Sequence, residues 1–287
     1  MKYALYLPPF GAYGDARALA NLALDVEQAG WDGFFLWDHV ALDWMTTPIA
    51  DPWVALTAVA MNTTRIRFGT TVTPLARRRP WKLARETVSL DHLSGGRLTL
   101  GAGLGGGKAE FEWLGEPAEP RELGARLDEA LEVLAGLWSA EPFHYAGRYY
   151  QVEQAHFLPA PCQQPRIPVW IGGFWPNKPP FRRAARWDGV FPLAKDLESY
   201  LKPEDIRDIG AFIKTQRVDD TPFDIANTGF TPGDNPAAAR DWVAKYEAAG
   251  VTWWMEGINP WRFGWDMQGP WPVEAMRERI LQGPPRL

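Results

Sequence analysis

Residues 65–103 read RIRFGTTVTPLARRRPWKLARETVSLDHLSGGRLTLGAG, and this stretch decides the fold class. Residues 66–73 form a short run rich in β-branched side chains and closed by Pro74, which reads as a buried strand. Residues 81–93 read as a helix that stops before Gly95-Gly96. Residues 97–102 are a second strand. Short buried strands alternating with helices imply a parallel sheet.

The same alternation continues on both sides. Upstream, strand 3–7 precedes a helix over 16–29 that ends at Gly30, with Leu19, Leu22, Ala23 and Val26 forming one apolar stripe. Strand 33–37 precedes helix 52–61, where Asp51 is placed to cap and Pro52 to open the first turn. Downstream come a long amphipathic helix over 121–138 and an irregular stretch. Within that stretch, 143–145 and 148–152 flank Gly147 as a small hairpin. Strands at 167–171, 189–193, 223–230 and 251–255 follow, with helices at 181–186, 204–215, 236–249 and 273–281. Eight such units over 287 residues predict a single-domain α/β protein, residues 1–287, folded as a (β/α)8 TIM barrel with a β-hairpin insertion between strands four and five. An open doubly wound sheet is the structural rival.

Composition excludes several function classes. A net charge of -5 provides no basic field for nucleic acid. No run approaches the roughly 18 apolar residues of a membrane span, so a cytoplasmic protein is expected. The single cysteine, Cys162, leaves no intrachain disulfide or thiolate metal cluster, and no metal ligand set is evident. No nucleophile elbow appears. Sixteen tryptophans mostly suit core packing.

Active sites of such barrels lie where the strands end at their C-terminal side. The candidates there are Trp37-Asp38-His39, Thr71-Val72-Thr73, the glycine run 101–107, Gly172-Gly173 and Glu256. His39 has the chemistry of a proton donor or acceptor, and Asp38, pointing the other way along the strand, need not orient it. The run contains a literal G-x-G-x-x-G at Gly101, Gly103 and Gly106. Pro117 and Pro120 leave little space for the helix a dinucleotide turn needs, so Gly103, Gly105 and Gly106 read better as bare backbone that a ring or phosphate can approach. Gly172 and Gly173 offer backbone N–H groups to a phosphate, with Arg182 or Arg183 adding charge. Arg77–Arg79 suits a solvated face, with an anionic cofactor tail as its other use. Trp37, Trp44 and Trp175 are candidates for a substrate wall.

DPWVAL at 51–56, the block 65–103, GWDGFFLWDH at 30–39 and IPVWIGG at 167–173 together resemble the luciferase-like flavin-dependent oxidoreductases. The resemblance runs from residue 1 to about 195. It implies FMN or the deazaflavin coenzyme F420 at the C-terminal rim, with His39 near the reactive ring carbon and phosphate at Gly172 and Gly173. It also implies a non-proline cis peptide at Thr71-Val72 or Val72-Thr73, behind the ring. Sugar-phosphate dehydrogenases of that family carry a glutamate where Gly106 stands, which argues against glucose-phosphate oxidation. No long insertion follows strand seven, which favours a deazaflavin-type member. Three functions stay open: hydride transfer between the deazaflavin and a fairly apolar organic substrate, FMN-dependent monooxygenation fed by a separate flavin reductase, and a non-catalytic flavin-binding barrel. Exposed tryptophans over 253–271 suit either a homodimer contact or a lid on the rim.

Overall fold

Eight parallel strands close on themselves in the order β1-β10-β9-β8-β7-β4-β3-β2 in the computed structural model. It describes residues 1–196 and 199–286; positions 197, 198 and 287 of the expected domain lie outside the described residues. The barrel strands are β1 (Lys2–Leu7), β2 (Gly33–Leu36), β3 (Arg67–Pro74), β4 (Leu98–Gly103), β7 (Val169–Trp175), β8 (Gly189–Ala194), β9 (Asp224–Gly229) and β10 (Trp253–Gly257). The antiparallel hairpin of β5 (Phe143–Ala146) and β6 (Gln151–Ala155) stands outside the barrel, between β4 and β7.

Helices α1 (Ala16–Gln28), α2 (Pro52–Asn62), α3 (Pro80–Ser94), α4 (Pro120–Trp138), α5 (Lys178–Ala184), α6 (Pro203–Gln216), α7 (Pro236–Ala248) and α8 (Val273–Leu281) complete the alternation. Proline opens α2, α3, α4, α6 and α7, where its missing N–H costs no intrahelical bond. Asp51 caps α2 by accepting from Trp53 N and Val54 N.

The barrel interior is filled by aromatics facing small residues. Phe35 stacks on Trp170 with centroids 5.1 Å apart, and Trp253 meets both rings edge-on. Gly69 and Gly101 make room for the strands themselves: an added Cβ would lie 1.9 Å from Thr99 O and 2.0 Å from Thr70 O, respectively. Several expected tryptophans are thus barrel filling, as their apolar area demands.

Two of the boundary differences from the sequence expectation have a visible cause or consequence. β7 runs on to Trp175, pairing with β8 up to Ala194, so Gly172 and Gly173 lie inside a strand rather than in a turn after it. The hairpin's second strand starts at Gln151 instead of 148, because Glu129 of α4 takes the backbone N–H groups of Arg148, Tyr149 and Tyr150. Those donors are then unavailable to the ladder.

Candidate active site

A cleft of about 950 Å³ opens at the C-terminal ends of the barrel strands. One wall begins where β2 stops and the chain continues as Trp37-Asp38-His39. The Asp38 side chain is fully buried and accepts from Thr73 Oγ1 (2.8 Å), Trp53 Nε1 (3.3 Å), Arg77 Nη2 (3.0 Å) and Arg78 Nη2 (2.9 Å). None of these partners is His39. Asp38 fixes the loop and the two arginines; Arg77 and Arg78 are accordingly not the solvated face expected from sequence, and Thr73 is spent on Asp38 rather than facing the cleft.

The partner of His39 is Glu110, whose Oε2 lies 3.0 Å from the imidazole Nδ1. Glu110 also accepts from Val40 N at 2.8 Å and from Arg77 Nη2 at 3.4 Å, so its carboxylate is buried between a cation and two further donors. A carboxylate so placed can only accept, which puts the hydrogen on Nδ1 and leaves Nε2 without a partner among the described residues. His39 lines the cleft with its side chain 31% exposed. Two carboxylates and two guanidinium groups balance behind it, so the imidazole sits at the edge of a neutral, buried, hydrogen-bonded network.

The floor is formed by Val72, next to a cis Thr71-Val72 peptide, with Gly103 and Gly172 on either side. An added Cβ on Gly103 would approach Val72 Cγ2 to 2.5 Å, and one on Gly172 would approach Val72 Cγ1 to 2.7 Å. Both glycines therefore allow Val72 to lie flat against the strands. Gly105 and Gly107 take positive φ (77° and 93°), and the space above Gly106 and Gly107 is open. At the foot of the cleft stands Tyr6, its ring 5.4 Å from Trp37 and 5.2 Å from Phe191. Burial pushes its phenol up, with Tyr200 adding to the shift, so it stays protonated.

Other expected site residues lie elsewhere. Arg183 turns away from the glycines: its guanidinium binds Asp128 at 2.7 and 2.8 Å and Gly124 O at 3.1 Å, anchoring α5 to α4. Trp175 packs against Phe181 and Phe212 under Lys178, outside the lining. Trp44 lies on the outer rim against Phe10 and Trp261. Trp253, Trp254 and Trp271 are buried, while Trp261 and Trp265 are partly exposed. The segment after β10 folds over the mouth, with Trp261 parallel to Trp37 at 6.5 Å and Trp271 edge-on to Phe10 and Tyr13. Glu256 holds that segment in place. It is fully buried and accepts from Trp254 Nε1, Thr231 Oγ1 and Arg262 Nη1.

The sequence reading missed Glu110 and Arg262. Glu110 is separated from His39 by 71 positions. Its one local signal is an acid between two buried apolar residues, Ala109 and Phe111.

Among the described residues no helix is long and apolar enough to cross a membrane, and no group of three or more His, Cys, Asp or Glu is placed to hold a metal. The family model for luciferase-like monooxygenases matches residues 1–278. An uncharacterised Mycobacterium tuberculosis protein is 31% identical over 228 residues, covering 77% of this chain and 72% of its own. An F420-dependent glucose-6-phosphate dehydrogenase of Nakamurella multipartita is 33% identical over 162 residues, covering 55% of this chain and 47% of its own. Among solved structures, a monooxygenase from Streptomyces bottropensis superposes with a TM-score of 0.76 at 17% identity, over 98% of this chain and 96% of that one.

Proposed function

This chain belongs to the luciferase-like monooxygenase family, a family of enzymes, and we propose that it transfers a hydride between coenzyme F420 and an organic carbonyl or alcohol substrate. One observation carries the reading: His39 meets the cleft with Nδ1 tied to Glu110 and Nε2 without a partner among the described residues. The likeness to the Nakamurella F420-dependent relative supports the choice of cofactor.

The residues fit such a group. Val72, backed by the bare backbones of Gly103 and Gly172, offers a flat apolar floor, and the open space above Gly106 and Gly107 leaves room at one edge. Gly172, Gly173 and Asn177 line the side toward which a phosphate tail would extend. Pro179 and Pro180 remove two N–H groups from the start of α5, so donors there come from strand backbone and the Asn177 amide. When bound, the deazaflavin supplies a hydride to the carbonyl carbon or takes one from the alcohol. His39 then handles the proton: as the imidazolium, with Nδ1–H held by Glu110, it gives the Nε2 proton to the carbonyl oxygen in the reducing direction, and as the neutral ring with a bare Nε2 it removes one from the hydroxyl in the other. Glu110 and the Asp38–Arg77–Arg78 group keep the ring in one orientation. Aromatic walls exclude water from the bound substrate.

The second reading is oxygen insertion with reduced FMN delivered by a separate reductase, favoured by the family's monooxygenase description. Titration of the protein with F420 and with FMN, followed by flavin fluorescence, distinguishes the two. The deazaflavin reading expects the tighter binding for F420. It also expects His39→Ala to lower turnover roughly 10²- to 10⁴-fold, the usual worth of a general acid, with F420 affinity unchanged. Unchanged turnover in that variant would falsify the role of His39.

A further inference from the structure

We infer, resting on the carbonyl-reducing reading of this cleft, that its substrate is an uncharged and largely apolar molecule, and that Glu256 enforces this by holding Arg262. The claim concerns the side where β1, β2 and β10 end, across the closed barrel from β7 and its glycines. On that side the ionisable groups are matched internally. Asp38 is bound by Arg77 and Arg78, and Glu110 by Arg77 and His39.

Among the described lining residues, Arg262 alone is a lysine or arginine. Its Nη1 donates to Glu256 Oε1 and to Gly257 O, both at 2.7 Å, and its Nη2 donates to Thr231 O at 2.6 Å. Its guanidinium lies 4.8 Å from the Phe230 ring and 5.3 Å from that of Phe263. The Arg262 side chain is only 10% exposed, and Glu256 is fully buried. Drawing Arg262 toward an anion strips that carboxylate of its closest charged partner, leaving Arg279 at 3.4 Å. A buried charge left short of its counter-ion costs more than a new pair at a cleft wall returns.

The remaining wall is dominated by the rings of Tyr6, Trp37, Phe191, Phe230 and Trp261, with only neutral polar side chains, Asn227, Thr228 and Asn259, between them. A carboxylate or phosphate entering it loses hydration and finds no free cation among the described residues, whereas a neutral aromatic or alicyclic ketone exchanges water for ring contacts. The one polar function such a ligand needs, a carbonyl or hydroxyl oxygen, has His39 as its partner.

Two probes that share one acetylphenyl frame and differ by a para carboxylate decide the point: acetophenone and 4-acetylbenzoate, titrated calorimetrically into the full chain at a pH where the benzoate is ionised. The neutral ketone is expected to bind roughly tenfold or more tightly. Equal or tighter binding of the benzoate would overturn the inference, as would binding of neither. In the double variant Arg262→Met with Glu256→Gln, which removes both charges of the pair, the preference is expected to persist; a tenfold loss confined to the benzoate would show that Arg262 receives anions and would also overturn it. Should the preference hold while F420-linked turnover of neutral ketones is absent, the hydride-transfer reading fails and the charge class of the ligand stands.

Discussion

Glu110 and Asp38 are both buried carboxylates in one network, yet their positions give them different work. Asp38 is saturated by two arginines, Thr73 and Trp53, while Glu110 is the acid that touches the imidazole. Glu110→Gln keeps the shape of the side chain but no longer demands a hydrogen on Nδ1, so the ring is free to adopt the other tautomer. The expected result is a fall in kcat of roughly tenfold or more, within the range that proton transfer contributes, with F420 affinity unaltered. The accompanying signature is loss of the hydrogen-bonded Nδ1–H proton resonance in the NMR spectrum. A variant that keeps both kcat and that resonance contradicts a positioning role for Glu110. The position of His39 and Asp38 at the rim was legible in sequence because they directly follow a strand; that of Glu110 was not, because it reaches His39 from a loop 71 residues away. Arg183 was misplaced for a related reason: α5 turns that side chain toward Asp128 on α4, a contact that no local spacing announces.

The strands and helices carry the site on close tolerances. Gly103 ends β4 with its Cα hydrogens against Val72, and Gly103→Ala forces Val72 off the floor and toward the cleft. Overpacking of this kind costs about 1–3 kcal/mol, and the displaced side chain obstructs the surface assigned to the cofactor ring. Denaturant unfolding should register the first effect, and a tenfold or greater loss of F420 affinity the second. Wild-type affinity in a destabilised Gly103→Ala protein contradicts the assignment of that floor.

Elsewhere, Glu27 at the end of α1 clamps the entry to β3. Partial burial pushes its carboxyl up, but the N–H groups of Ile66, Arg65 and Thr64, with the Thr64 hydroxyl, hold it below the ordinary carboxylate value. A folded-state value below the unfolded one stabilises the fold above the ordinary value, about 4.3, and that stability is lost as pH falls through the folded value. Glu27→Gln is therefore expected to lower Tm near neutral pH, and the gap from wild type to close below about pH 4. A gap that stays constant with pH assigns the effect to packing instead. The strand and helix order was legible because their hydrophobic periods differ. The extra length of β7 was not, since its pairing of Trp175 with Ala194 is set by the neighbouring strand.

At the scale of the whole molecule, the closed barrel brings residues distant in sequence to one rim, leaves one large cleft there, and places His39 on one wall with the β7 glycines across from it. The segment after β10 roofs the cleft with Trp261, anchored through Arg262 on Glu256. The sequence offered its tryptophans as a rim lid or a dimer contact; Trp253, Trp254 and Trp271 are buried, and Trp261 and Trp265 keep part of their surface exposed. Hydride transfer at this rim needs no oxygen. The most direct measurement is therefore an anaerobic reaction of the protein with reduced F420 and a neutral ketone, following oxidation of the coenzyme and formation of the alcohol together. The account predicts the two in equal amounts without oxygen, and their loss in His39→Ala. Product that forms only with reduced FMN and oxygen would contradict it and make the chain a monooxygenase.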